Sequence, residues 1–443
     1  MNIQISEHFN YRKLIRFTIP TIAMMLFTSI YGVVDGIFIS NCVGSEAFAA
    51  INLIWPVLMI LGSVGFMIGT GGSALVSKTL GEGKEQKANE IFSVLIAAVV
   101  VFGTILAVIG MLAMRPISSW LGAEGEMLEY CVVYGMILLI GNVPFMLQNA
   151  FQSFLVVAER PQMGLKISVA AGVTNMVLDF VFVYLFNWGV AGAAAATVAS
   201  QLVGSVIPLV FFARKNPSPL RLIKFEVDGN ALLKTCTNGS SEMLTNLSMS
   251  LVSMLYNFQL MKFAGADGVA AYGIIMYVSF IFSGTYLGYS IGAAPIVSFH
   301  YGAGNHDELK SLFKKSLMLM SVTSVILTGA AELTSGILAG VFVSYDAELL
   351  AMTTLAIQLY SISYLFNGIN VFSSAFFTAL NDGLVSAVIS FLRTLVFQVV
   401  MIFLLPALLG LEGIWLSIVA AEILALVVSV FCFVKFRKKY HYV

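Results

Sequence analysis

Two carboxylates stand where hydrocarbon tolerates few. Asp35 lies in Ser29-Ile-Tyr-Gly-Val-Val-Asp35-Gly-Ile-Phe-Ile-Ser40, and Asp179 in Val173-Thr-Asn175-Met-Val-Leu-Asp179. Each run otherwise reads as a membrane-spanning helix. An ionised Asp at such a helix centre costs roughly 2.5–3.5 kcal/mol on insertion, so acids there are usually retained for a task. Tyr31 and Asp35 are four apart, as are Asn175 and Asp179, so each acid shares a helix face with a polar partner. Desolvation disfavours the charged form of a carboxyl group, which equips such acids to take up and release a proton near physiological pH. That is the chemistry of an ion-coupled carrier. The plainer reading is a pair of hydrogen-bonded acids that only lock helices together.

The elements that carry these acids follow from composition. Of 443 residues, 59% are hydrophobic and 10% charged, against about 25% charged in a soluble domain. The mean hydropathy is +0.93. The fold class is an all-α polytopic membrane protein. Twelve spans are predicted, near 14–40, 47–77, 91–114, 127–157, 163–187, 190–213, 236–263, 269–299, 316–343, 349–380, 384–409 and 414–434. Each can cross about 30 Å of hydrocarbon, the longer ones with tilt. Residues 1–13 are polar, and the apolar run after them is too long for the core of a cleavable signal. A formal net charge of zero gives no electrostatic footprint for nucleic acid. Cys42, Cys131, Cys236 and Cys432 lack metal-ligand spacing, and no metal site is expected.

Basic residues set the orientation. Twenty of the 23 Lys and Arg lie at the amino terminus, after even-numbered spans or in the tail; Arg115 and Lys262 fall on the other side and Arg393 inside a span. The positive-inside rule then places both termini in the cytoplasm. An internal repeat accompanies the alternation. A shift of 221 residues lays Gly44-Ser-Glu46-Ala-Phe-Ala49-Ala50 on Gly265-Ala-Asp267-Gly-Val-Ala270-Ala271, and Gly71, Gly81 and Gly83 on Gly292, Gly302 and Gly304. Asn149, Ser153 and Gly192 fall on Asn370, Ser374 and Gly413. The expected organisation is an N-terminal six-helix lobe (1–213), a cytoplasmic linker (214–235) and a C-terminal six-helix lobe with a short basic tail (236–443). Six spans is an even number, so the lobes are parallel repeats about an axis along the membrane normal, the build of secondary transporters. Under the same shift Asp35 meets Tyr256 and Asp179 meets Val400, so the acid pair belongs to the first lobe alone.

Other intramembrane polar groups are candidates for a substrate cavity: Tyr31, Gln148, Asn149, Gln152, Tyr256 and Asn257. The alternative for the fourth-span amides is helix-to-helix hydrogen bonding at about 0.6 kcal/mol each. Glu242, Arg393 and Glu422 read as a structural ion pair or snorkelling groups. His300 and His306 read as solvated loop residues. The 21 Met and 34 Phe mostly face lipid or neighbouring helices, with some available to an adaptable drug surface.

At this point the sequence resembles a family. The first span with Asp35, then Val43-Gly44-Ser-Glu46-Ala-Phe-Ala49-Ala50, Leu80-Gly-Glu-Gly83, Asn175-Met-Val-Leu-Asp179 and Trp188-Gly-Val-Ala-Gly192-Ala, are similar to the multidrug and toxic compound extrusion (MATE) transporters. Gly302-Ala-Gly304-Asn305, Ser390-Phe-Leu-Arg393 and Leu411-Glu-Gly413-Ile-Trp415 continue the resemblance over the whole chain, closest to the DinF-related, MepA-like bacterial branch. The resemblance implies efflux of bulky, often cationic amphiphiles, driven by an inward proton or sodium gradient, with no other cofactor. It implies that Asp35 and Asp179 couple the ion with Asn175 beside them, and that Pro20 is the bend point of the first helix, where a missing N–H permits a kink. The sodium-linked branch carries acids in the seventh and tenth spans; here Ser248, Met249 and Asn367 stand near those places. The expected protein is a monomer in the cell membrane, in contact with lipid.

Two further readings differ in class. A flippase or metabolite exporter of the same superfamily needs a cationic cavity for an anionic head group, and the spans offer one arginine, Arg393. A membrane enzyme needs a convergent catalytic set, and the chain holds no HExxH, GxSxG or Walker loop. Without a Walker loop, the electrochemical gradient is the fuel, about 2.3 kcal/mol per charge per 100 mV. No filter repeat or acidic ring points to a channel.

Overall fold

In hydrocarbon a peptide group finds no partner outside the chain, so the long apolar runs satisfy their own backbone as helices. The computed structural model describes the backbone at 3–343 and 346–443, and the side chains there except those of 33, 35–41, 45, 48 and 266. The first half contains α1 (Tyr11–Cys42), α2 (Ser45–Gly81), α3 (Glu85–Trp120), α4 (Gly125–Ile140), α5 (Asn142–Val157), α6 (Pro161–Asp179) and α7 (Gly189–Ala213). The second contains α8 (Gly229–Gly302), α9 (His306–Val343), α10 (Ala347–Ser361), α11 (Tyr364–Ala379), α12 (Gly383–Phe391), α13 (Phe397–Leu409) and α14 (Leu411–Tyr440). A wider π turn, Phe180–Leu185, prolongs α6, and another, Leu392–Val396, joins α12 to α13.

Among the described residues, nine helical stretches are long and apolar enough to cross a membrane, and two bent pairs bring the number to eleven. The first part of α8, 229–264, is also helical but rich in Ser, Thr and Asn, and it completes the twelve-span frame. Two spans expected to be continuous are broken. The fourth bends by 57° between α4 and α5, the tenth by 47° between α10 and α11. At the first break Pro144 lacks the N–H that would tie α5 to the preceding turn. Gly141 there lets α7 come close, since a Cβ would stand 2.6 Å from Val198.

The repeat is written in the backbone. Gly44 and Gly265 turn from first to second span at φ 120° and 63°, and Gly189 and Gly410 open the last span of each half at 56° and 62°. Side chains other than hydrogen rarely adopt these values. Both pairs are 221 residues apart. The fold is two pseudo-symmetric six-helix lobes.

The halves meet along α2 and α8, backbone against backbone. A Cβ on Gly71 would lie 2.2 Å from the Thr235 carbonyl oxygen, and one on Gly239 1.9 Å from that of Met67. A Cβ on Gly81 would lie 2.0 Å from the Phe299 oxygen and one on Gly302 2.1 Å from that of Lys78, beside the turns at 82–84 and 303–305. α1 joins the seam where Gly288 and Gly292 take Ile22 and Thr21. Toward the other end it loosens: a Cβ on Gly284 would still stand 3.6 Å from the Met25 backbone, and beyond it the Ser29 hydroxyl reaches the Phe280 oxygen at 3.3 Å.

Candidate functional site

The acid-bearing site forms where α1 packs on α6. Gly172 makes room there: a Cβ would stand 2.5 Å from the Phe27 ring and 3.0 Å from that of Tyr31. One turn further along α6 comes Asn175, 2% exposed, and one more turn brings Asp179, fully buried. The Asn175 Oδ1 has no hydrogen-bond partner among the described residues. Tyr31 is half-buried, its ring centroid 6.0 Å from that of Phe27. Pro20 is buried within α1. Asp35 falls in the range of α1, but its side chain lies outside the described residues.

Asp179 is the last α-helical residue before the π turn Phe180–Leu185. Such turns add a residue to the helix and recur at functional positions. The second half repeats the association: Arg393 lies inside its own π turn. Each half therefore places an ionisable side chain of its fifth span, buried Asp179 or half-buried Arg393, at a local widening of that helix. This signal was absent from the hydropathy pattern.

The other polar candidates lie on α5 and α8. Gln148 packs against α7, where a Cβ on Gly204 would meet its Cδ at 2.6 Å. Asn149 and Gln152 are each 8% exposed, and the Asn149 Nδ2 donates to the Phe145 carbonyl of its own helix at 2.9 Å. Tyr256, 1% exposed, stacks on Tyr272, centroids 4.9 Å apart, within the second-half core. Asn257, the next residue, is exposed, because successive helical side chains point about 100° apart. His300 also departs from expectation: α8 runs on through it, and it is 3% exposed. His306 is exposed, with its ring 4.8 Å from that of His441.

A second polar centre lies in the other half. The Arg393 Nε donates to both Glu422 oxygens, and its Nη2 donates to the Asn367 Oδ1 at 2.9 Å. The Asn370 Nδ2 donates to the Glu422 Oε2 at 2.7 Å, and the Ser429 hydroxyl to the Asn370 Oδ1 at 3.0 Å. The centre is an internally satisfied ion pair, as read from sequence. Among the described residues no group of three or more His, Cys, Asp or Glu is arranged to hold a metal.

Known proteins resemble the chain throughout its length. The multidrug export protein MepA of Staphylococcus saprophyticus subsp. saprophyticus is 24% identical over 413 residues, 93% of this chain and 91% of that one. A crystal structure of MATE in complex with MaL6 superposes with TM-score 0.92 at 23% identity, covering 98% of both chains. The outward-facing conformation of a multidrug resistance MATE family transporter of the MOP superfamily also gives TM-score 0.92 at 23% identity, over 98% and 97%. The MatE family model matches twice, at residues 20–181 and 242–404, one stretch in each half, and the chain belongs to the MatE family.

Proposed function

We propose that this protein is a multi-pass efflux transporter of the cell membrane, exporting amphiphilic, often cationic compounds in exchange for protons or sodium. The two lobes, 1–213 and 236–443, alternate access about the connection at 214–235. The observation that carries the reading is the fully buried Asp179, one turn from Asn175 on the α1-facing side of α6. A carboxyl group in that place trades its charge state against an ion or a cationic substrate, and the movement of α1 along α6 transmits the choice. Asp35, Asp179 and Asn175 are assigned the coupling, and Pro20 the bend of α1. Tyr31, Gln148, Asn149, Gln152, Tyr256 and Asn257 are assigned to the substrate path. The name of the S. saprophyticus relative supports drug export.

The charge asymmetry assigns the turns at 82–84 and 303–305, and both termini, to the cytoplasm. The tight α2–α8 seam beside those turns then corresponds to a transporter closed on its inner face. A flippase reading is weaker, because Glu422 already neutralises Arg393. The test is efflux of a fluorescent cation from right-side-out vesicles, with pH and sodium gradients imposed separately. Efflux on a pH gradient that is lost in Asp179→Asn supports proton coupling. Dependence on sodium alone changes the ion, and equal efflux by wild type and Asp179→Asn overturns the mechanism.

A further inference from the structure

The segment before α1 is held by both halves of the molecule. Its Ile5 N–H donates to the Glu159 Oε1 at 2.9 Å, in the turn between α5 and α6, and Ile5 itself is 2% exposed. Four residues on, the Phe9 peptide is gripped from α9. Its N–H donates to the Glu308 Oε1 at 2.8 Å, and its carbonyl accepts from the Lys315 ammonium. The second Glu308 oxygen pairs with the His8 ring, so both oxygens of this buried carboxylate are spent on the segment. The Phe9 ring is fully buried among side chains of both halves, including Val156, Leu309, Leu312 and Phe313.

The arrangement recurs in the repeat. Under the 221-residue shift Glu308 falls on Lys87, in the first turn of α3, and Glu7 falls on Asp228, in the segment before α8. Lys87 pairs with Asp228 at 2.9 Å. In each half the segment leading into the first span crosses to the third helix of the other half. At Lys87 the crossing segment is the covalent connection between halves; at Glu308 it is not that connection, and it is able to let go.

We propose that residues 3–10 form a latch that holds the two lobes together on the face of the 82–84 and 303–305 turns, and that its release from Glu308 and Lys315 accompanies opening of that face. The proposal rests on the alternating-access reading above. Glu159 and α1 fix the ends of the segment to the first lobe, while α9 grips its middle. Separation of the lobes must break the Phe9 contacts.

The experiment places spin labels at Lys84→Cys and Asn305→Cys, both exposed, with the four native cysteines replaced, in the full chain in liposomes. Distance distributions are compared for the parent, Glu308→Ala, Lys315→Met and a chain starting at Asn10. The expected result is a rise of about tenfold in the long-to-short ratio on losing the Glu308 contacts, equivalent to 1.4 kcal/mol. Glu308→Gln keeps an acceptor for the Phe9 N–H and restores most of the short distance. The point variants keep the test decisive if the shortened chain does not fold. A long distance reached equally often with and without the Glu308 and Lys315 contacts overturns the latch alone. If no variant, gradient or cationic dye ever produces the long distance, alternating access fails and the latch with it.

Discussion

Arg393 donates from Nε to both oxygens of Glu422, at 2.9 and 3.1 Å, across the gap between the fifth and sixth spans of the second half. The Glu422 side chain is 1% exposed, so no water can take the place of this partner. Removing one member of a buried pair strands the other, at about 3–5 kcal/mol, whereas replacing both by apolar residues of similar volume is close to neutral. Glu422→Ala is therefore expected to lower the thermal midpoint of the detergent-solubilised protein sharply, and Arg393→Met with Glu422→Leu to recover most of the loss. Measuring the three melting curves side by side checks this.

At the other polar centre the expectation is reversed. Asp179→Asn preserves shape while removing the ionisable group, so yield and melting temperature should stay near wild type while gradient-driven efflux falls to background. Asn175→Ala should slow efflux about tenfold, the cost of one charge-assisted hydrogen bond. Initial rates in vesicles with matched protein content decide both.

The α2–α8 seam has no room for a methyl group. An alanine at Gly302 would put its Cβ 2.1 Å from the Lys78 carbonyl oxygen, which belongs to backbone and cannot swing aside. Gly302→Ala should hold the halves apart. A cysteine at Ser77, buried on α2 in this structure, should then react with a membrane-impermeant maleimide at least tenfold faster than in the parent. Unchanged labelling would show that the contact is not needed for closure.

The connection between halves carries a pH signature. The Ala231 N–H, and after it Lys87, hold the Asp228 carboxyl below the usual carboxylate range. A depressed folded-state value contributes stability that is present above the unfolded value and disappears as pH falls through the folded one. Proteolysis of the 214–228 stretch should therefore quicken on acidification below about pH 4, the unfolded Asp value. In Asp228→Asn it should be faster at neutral pH and much less dependent on acid.

Hydropathy and charge alternation made the twelve-span frame and the repeat legible, because both are sums over many residues. Asp179 was legible singly, since one carboxylate in an apolar run is costly wherever the helix lies. His300 was misread because burial of an amphipathic ring depends on what packs over it, and nothing in the local pattern states that. The breaks at Gly141 and Ser361–Ser363, the π turns, and the grip of Glu308 on Phe9 arise from contacts distant in sequence. Glu308 and Phe9 are 299 residues apart.

The two π turns do not obey the repeat. Shifted by 221 residues, Phe180–Leu185 would fall on 401–406, yet the second half widens at Leu392–Val396 instead. Gly189 and Gly410, which follow the two turns, keep the common offset, so the turns themselves break it. The two fifth spans therefore widen at different heights, beside the buried Asp179 in one and at the half-buried Arg393 in the other, and the repeat that sets the frame leaves each half free to place an acid or a base.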